Sequence, residues 1–222
     1  MGDFLQRYSQ IEFPSYRFIP GENPHPTESP LGHSYGKKES DGKIFVPDNW
    51  SNNEQYLFGI DLYNNGYWWE SHEAWESLWR VAPRDHVSRD FMQGLIKVSG
   101  AFLKWYSKNK NGLEYLYTGG MKKLLKVGEE HPVYMGLNIV DYIQKMENHF
   151  KPVLEECSWP DPLINYPYIV LTYLEEKIGQ RSNGFIMKRK QEVLMIEKQD
   201  LRYILRSEYE GYGMISEGYH HS

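Results

Sequence analysis

The sequence predicts an all-α fold: a compact bundle of about five helices, an extended N-terminal arm and a C-terminal helical extension. Three observations predict it. Across residues 52–157, five segments repeat large apolar residues at helical spacing. Ahead of them, six of the twelve prolines fall between Pro14 and Pro47. Behind them, helical spacing returns at residues 185–208 with Val193, Leu194, Leu201, Ile204 and Leu205. The chain therefore divides into an arm (1–51), a helical core (52–157) and a C-terminal part (158–222) holding a loop, a short strand or extended segment, and a helix.

In the arm, proline removes backbone donors and Gly21, Gly32, Gly36 and Gly42 loosen the chain, so no helix is expected there. Yet it carries Tyr16, Phe18, Ile19, Tyr35, Ile44, Phe45 and Trp50. Those side chains gain only by burial, so the arm should lie extended on the core.

The first core helix is expected at 53–65, with Tyr56, Ile60 and Tyr63 on one stripe and Gly66 as its stop. The second is expected at 67–81, ended by Pro83. There Trp68, Trp75 and Trp79 fall within about 40° of one another at 100° per residue, and Leu78 extends that face. The third, at 87–107, carries two apolar strips: Phe91, Leu95, Val98, Phe102 and Trp105, then Met92, Ile96 and Leu103. A helix apolar on two sides belongs at the centre, and Gly94 and Gly100 let a neighbour approach closely. The fourth, at 112–127, contains Gly119-Gly120, where a kink or break is expected. The fifth, at 137–155, carries Ile139, Ile143, Met146, Phe150 and Leu154, and Pro152 disturbs its last turn. After the loop Trp159-Pro160-Asp161-Pro162, residues 168–174 read as a short strand or extended segment, and the end from Gly211 as frayed.

Composition excludes several classes. Aromatic residues make up 15% of the chain, too many for a disordered one. No uncharged apolar run is long enough to span a bilayer. A net charge of -5 gives no basic field for nucleic acid, and Lys188-Arg189-Lys190 reads as a solvated helix face. Cys157 is the single cysteine, so no internal disulfide forms, which fits a reducing compartment. The first residues lack the charged and apolar regions of a secretory signal, and a cytoplasmic location is expected.

The string that could carry chemistry is Trp68-Trp69-Glu70-Ser71-His72-Glu73-Ala74-Trp75-Glu76-Ser77-Leu78-Trp79-Arg80. His72 and Glu76 are four apart, hence stacked on one helix face beside the tryptophans. Burial raises a carboxyl pKa and lowers an imidazole pKa, whereas mutual attraction does the reverse. Either balance leaves a pair able to exchange protons near neutral pH. His72, Glu73 and Glu76 are the candidate catalytic residues. Gln93 and Trp79 are candidates for lining a ligand pocket. The string lacks the second histidine of H-E-x-x-H, so a divalent metal would need ligands from elsewhere. His25 and His33, in the proline-stiffened arm, are the expected suppliers, giving a candidate metal set of His25, His33, His72 and Glu76.

The same string resembles the domain-of-unknown-function 309 family. That family shares a helix ending Asn-x-Gly, then His-Glu-x-x-Glu-x-x-Trp, then a Gln-Gly-Leu-Ile helix. Here these are Asn64-Asn65-Gly66, the run from His72 to Trp79, and Gln93-Gly94-Leu95-Ile96, within a resemblance that extends over residues 56–150. Tyr16-Arg17-Phe18-Ile19-Pro20-Gly21, Pro24-His25-Pro26-Thr27 and Gly32-His33-Ser34-Tyr35-Gly36 resemble the N-terminal extension of longer members. The resemblance implies a compact all-α bundle and no established activity. It marks His72, Glu73, Glu76, Trp79 and Gln93 as signature positions.

Three functional readings follow. In the first, the His/Glu/Trp cluster is a structural clamp for the arm. In the second, the protein is a small-molecule or metal-dependent hydrolytic enzyme using His72 and Glu76. In the third, it is a protein-interaction module, with self-association through tail aromatics such as Tyr203, Tyr209 and Tyr212. Nucleic acid and membrane are not expected as partners.

Overall fold

Asn53 starts the bundle. Its side chain accepts from the Tyr56 amide at 2.9 Å and caps α1 (Glu54–Asn64). At the other end Gly66 adopts φ +76, and the Gly66 and Tyr67 amides return to the Tyr63 and Leu62 carbonyls. That left-handed cap is the stop the sequence predicts. It turns the chain directly into α2 (Trp68–Val81), which Pro83 follows. The computed structural model describes residues 7–37, 45–84 and 86–172. The expected helix at 185–208 and the tail aromatics lie outside them.

α3 (Val87–Tyr106) packs on α2 on one side and α4 (Lys110–Glu130) on the other; α1 covers α2 and α5 (Ile139–Leu154) covers α4. The central place of α3 follows from its first apolar strip, with Phe91, Leu95, Val98 and Phe102 fully buried; of the second strip Met92 is fully buried, and Ile96 and Leu103 are half-buried. Gly94 and Gly120 make the α3–α4 approach. A Cβ on Gly94 would sit 2.7 Å from Leu124 Cγ, and one on Gly120 would sit 3.0 Å from the Gly94 carbonyl oxygen. This corrects the expected break in the fourth helix. α4 runs unbroken through Gly119-Gly120, because packing against α3 outweighs the ~1 kcal/mol that each glycine costs a helix.

Three further departures are small. A 3-10 helix, Pro47–Asn52, stands at the end of the arm where none is expected. Pro47 fills its first position, where the missing donor costs nothing. Ahead of α5, β1 (Val133–Tyr134) and β2 (Leu137–Asn138) pair antiparallel, with Tyr134 opposite Leu137. Met135 and Gly136 both take positive φ in the two-residue turn, a geometry that fits the twist of a hairpin. Residues 166–171 form no strand ladder. Asn64 instead receives the Ile169 amide and donates to the Ile169 carbonyl, both at 2.8 Å, so a side chain does what a neighbouring strand would do.

The aromatic core lies where α1, α2, α3 and α5 meet residues 163–171. Trp68 stacks on Phe102 at 5.1 Å between centroids, 10° from parallel. Trp68 Nε1 donates to the Tyr166 hydroxyl at 2.8 Å, and that hydroxyl donates to the Tyr63 carbonyl at 2.9 Å. Tyr142 donates to the Tyr63 hydroxyl at 3.0 Å. Burial pushes all three tyrosine pKa values above their ordinary range, so these groups stay neutral hydrogen-bonding pins. Among the described residues no helix is long and apolar enough to cross a membrane.

Candidate functional site

Two buried carboxylates face the arm. Asp61, on the third turn of α1, accepts from four donors: Arg7 Nε at 2.9 Å, the Tyr8 amide at 2.8 Å, the Ser9 amide at 2.9 Å and Ser9 Oγ at 2.7 Å. Glu70, in the first turn of α2, is 5% exposed. Its Oε1 accepts from the Phe18 amide and pairs with His33 Nε2, each at 2.9 Å. Glu70 Oε2 has no hydrogen-bond partner among the described protein groups. Burial pushes the Glu70 carboxyl above its usual range; His33, its own amide and the Phe18 amide oppose that push. The positive end of α2 supports the ionised form in the same direction as those donors.

Arm, α1 and α2 together line an open cleft of about 260 Å³. His33, Ser34 and Lys37 line it from the arm, Phe58 and Leu62 from α1, and Glu70, Glu73, Glu76 and Arg80 from α2. On α2, positions 70, 73 and 76 fall within about 120° of one another, so the helix presents three carboxylates to one side. His33 continues beyond Glu70: its Nδ1 lies 2.9 Å from Ser34 Oγ. The Tyr16 ring packs against the His33 ring as well, tilted 60° at 4.7 Å between centroids.

The residues expected to form a site are only partly gathered. His72, Glu73 and Glu76 do come together, their ligand atoms all within 4.8 Å of one another. His72 Nδ1 lies 3.1 Å from Glu73 Oε1, and Arg80 Nη2 lies 3.3 Å from Glu76 Oε1. The four-ligand set of His25, His33, His72 and Glu76 is not assembled. Among the described residues, the group with metal-ligating geometry contains neither arm histidine. The reason is competition. His33 turns to the more deeply buried Glu70, and His25 packs edge-on between Phe18 and Trp69, at 5.1 and 5.4 Å between centroids. Trp79 and Gln93 are half-buried and neither lines the cleft. Trp79 carries the Arg89 guanidinium on its ring at 4.2 Å instead, and Arg89 Nη1 donates to the Trp79 carbonyl at 2.9 Å.

Asp61, Glu70 and Ser34 are the residues that sequence reasoning missed. A signal existed for Glu70: an acidic residue in the first turn of a helix whose neighbours are tryptophans. Nothing in spacing points from Asp61 to Arg7 or Ser9, more than fifty residues away.

Fold and site define a helical-bundle protein with an arm bonded across its first two helices and an acidic cleft beneath it. Residues 56–116 match the model of DUF309, a domain of unknown function. The match takes in α1, α2, α3 and the start of α4, including His72, Glu73, Glu76, Trp79 and Gln93, and stops short of the resemblance read to residue 150. No curated protein matches the chain.

Proposed function

We propose that the protein is a helical scaffold in which the arm is a fixed roof, clamped to α1 and α2 by Asp61 and Glu70. One observation carries this reading: Glu70, almost wholly buried, receives both the Phe18 amide and His33 from the arm. A buried carboxylate stripped of such donors costs several kcal/mol, so the carboxylate and the arm hold each other in place. Hydrogen exchange tests it. Amides of residues 16–34 should be protected in the wild type. Glu70→Ala should speed their exchange about 10- to 100-fold, the equivalent of 1–3 kcal/mol for orphaned donors. Equal exchange in the two proteins would refute the clamp.

The clustering of His72, Glu73 and Glu76 favours a second reading, a divalent metal bound by these three side chains of α2. One imidazole and two carboxylates suit zinc or manganese and leave coordination positions for water. Calorimetric titration with zinc and manganese should show one site per chain, and His72→Ala should weaken it at least tenfold. Equal heats for the variant would remove the site.

A further inference from the structure

We propose that Ser34 is a nucleophile, activated by His33 and positioned through Glu70, and that the cleft takes small acyl esters. The inference rests on the clamp reading, because Ser34 and His33 reach α2 only while the arm is docked.

An adjacent His–Ser contact is ordinary by itself, since the two residues are neighbours in the chain. Here a third group enters from another element. Glu70 lies 37 positions on and meets the far nitrogen of the same ring, so a continuous chain of hydrogen bonds runs from Glu70 Oε1 through His33 Nε2 and Nδ1 to Ser34 Oγ, with both links at 2.9 Å. The inner part is dry: the His33 and Glu70 side chains are 7% and 4% exposed. All three residues line the cleft.

The inner end sets one direction: the ionised carboxylate accepts, so His33 Nε2 donates to Glu70, and the neutral form of the ring then carries its lone pair on Nδ1, facing the Ser34 hydroxyl. A base oriented by a carboxylate and bonded to a hydroxyl is the arrangement that activates a serine. The two ring nitrogens exchange roles relative to the usual serine triad, which leaves the proton transfers chemically equivalent.

The step balances with water as co-reactant. Ser34 Oγ bonds to the acyl carbon as its proton passes to His33 Nδ1. The ester C–O bond breaks, and the departing oxygen takes that proton. Water then attacks the acyl-enzyme and gives its proton to His33, and Ser34 Oγ leaves the acyl carbon reprotonated. Lys37 and Arg80 are the cations among the residues that line the same cleft, and Arg80 is paired with Glu76 at 3.3 Å. A cleft of about 260 Å³ is smaller than most drug-sized pockets, room for a short acyl group.

The test is covalent labelling of the full chain by an alkyl fluorophosphonate, with the modified peptide mapped by mass spectrometry. One adduct per chain on Ser34 is expected, and none on that residue's peptide in Ser34→Ala. His33→Gln should slow labelling at least a hundredfold. Glu70→Gln keeps an acceptor for both the Phe18 amide and His33 while removing the charge. It should lower the maximal labelling rate at least tenfold and leave the half-saturating reagent concentration unchanged, a split that loss of structure would not produce. Hydrogen exchange on the same samples reports the arm. Absent labelling with a protected arm overturns the nucleophile and leaves the clamp standing. Labelling that persists in Ser34→Ala also overturns it. An unprotected arm in the wild type overturns both readings.

Discussion

Asp61→Ala should release the start of the arm and cost its docking about 1–3 kcal/mol for each buried donor left without an acceptor. The truncated side chain would leave the Ser9 amide and hydroxyl without an acceptor, and Ser9 is 3% exposed. The Arg7 share is small: its side chain is 36% exposed, and water already screens it. The arm has an escape that a core helix lacks, because undocking returns its amides to solvent. The loss should therefore appear as local opening. Exchange at residues 8–19 should accelerate strongly while amides of α3 and α4 keep their protection. Asp61→Asn retains one acceptor oxygen and should cost only about 1–2 kcal/mol. Unaltered arm exchange in Asp61→Ala would mean that Glu70 and the apolar contacts of Phe18, Ile19 and Phe45 hold the arm without Asp61.

The same carboxylates show where sequence reasoning succeeds and where it stops. α1, α2 and α3 were legible because their signals are local. Tyr56, Ile60 and Tyr63 repeat at helical spacing, Gly66 has the freedom a left-handed cap needs, and Pro83 forbids continuation. The unbroken α4 was not legible, since Gly119-Gly120 is tolerated only by what α3 presents to it. The site divides the same way. His72, Glu73 and Glu76 are neighbours on one helix, so periodicity alone brings them together. Sequence reasoning gave the contact with the arm to His72 and Glu76, whereas the arm's hydrogen bonds go to Asp61 and Glu70. Spacing places Glu76 beside His72, but it says nothing about which carboxylate the arm covers. Glu70 takes that role because it stands nearer the start of α2, on the side where Phe18 and His33 descend.

Trp68→Ala should destabilise the bundle itself by about 3–5 kcal/mol, at the upper end for a fully buried aromatic. Trp68 is the first residue of α2 and no nearer the arm in sequence than Trp69 by more than one position, yet their costs should differ in kind. Trp68 faces inward, stacked on Phe102 and bonded to Tyr166. Its removal opens a cavity bounded by α3 and the buried Tyr166. Trp69 faces outward and touches Phe18 and His25 of the arm, so its truncation should loosen the arm before the helices. Trp68→Phe divides the inner effect. The Tyr166 hydroxyl still donates to the Tyr63 carbonyl, so losing the indole N–H alone should cost about 1 kcal/mol, with the missing ring volume adding to it. Urea unfolding followed by far-ultraviolet circular dichroism measures all three variants. A Trp68→Ala midpoint close to wild type would show that residues around Tyr166 collapse into the space, and the tyrosine network would then be adaptable packing rather than the fixed joint between α1, α2 and the segment after α5.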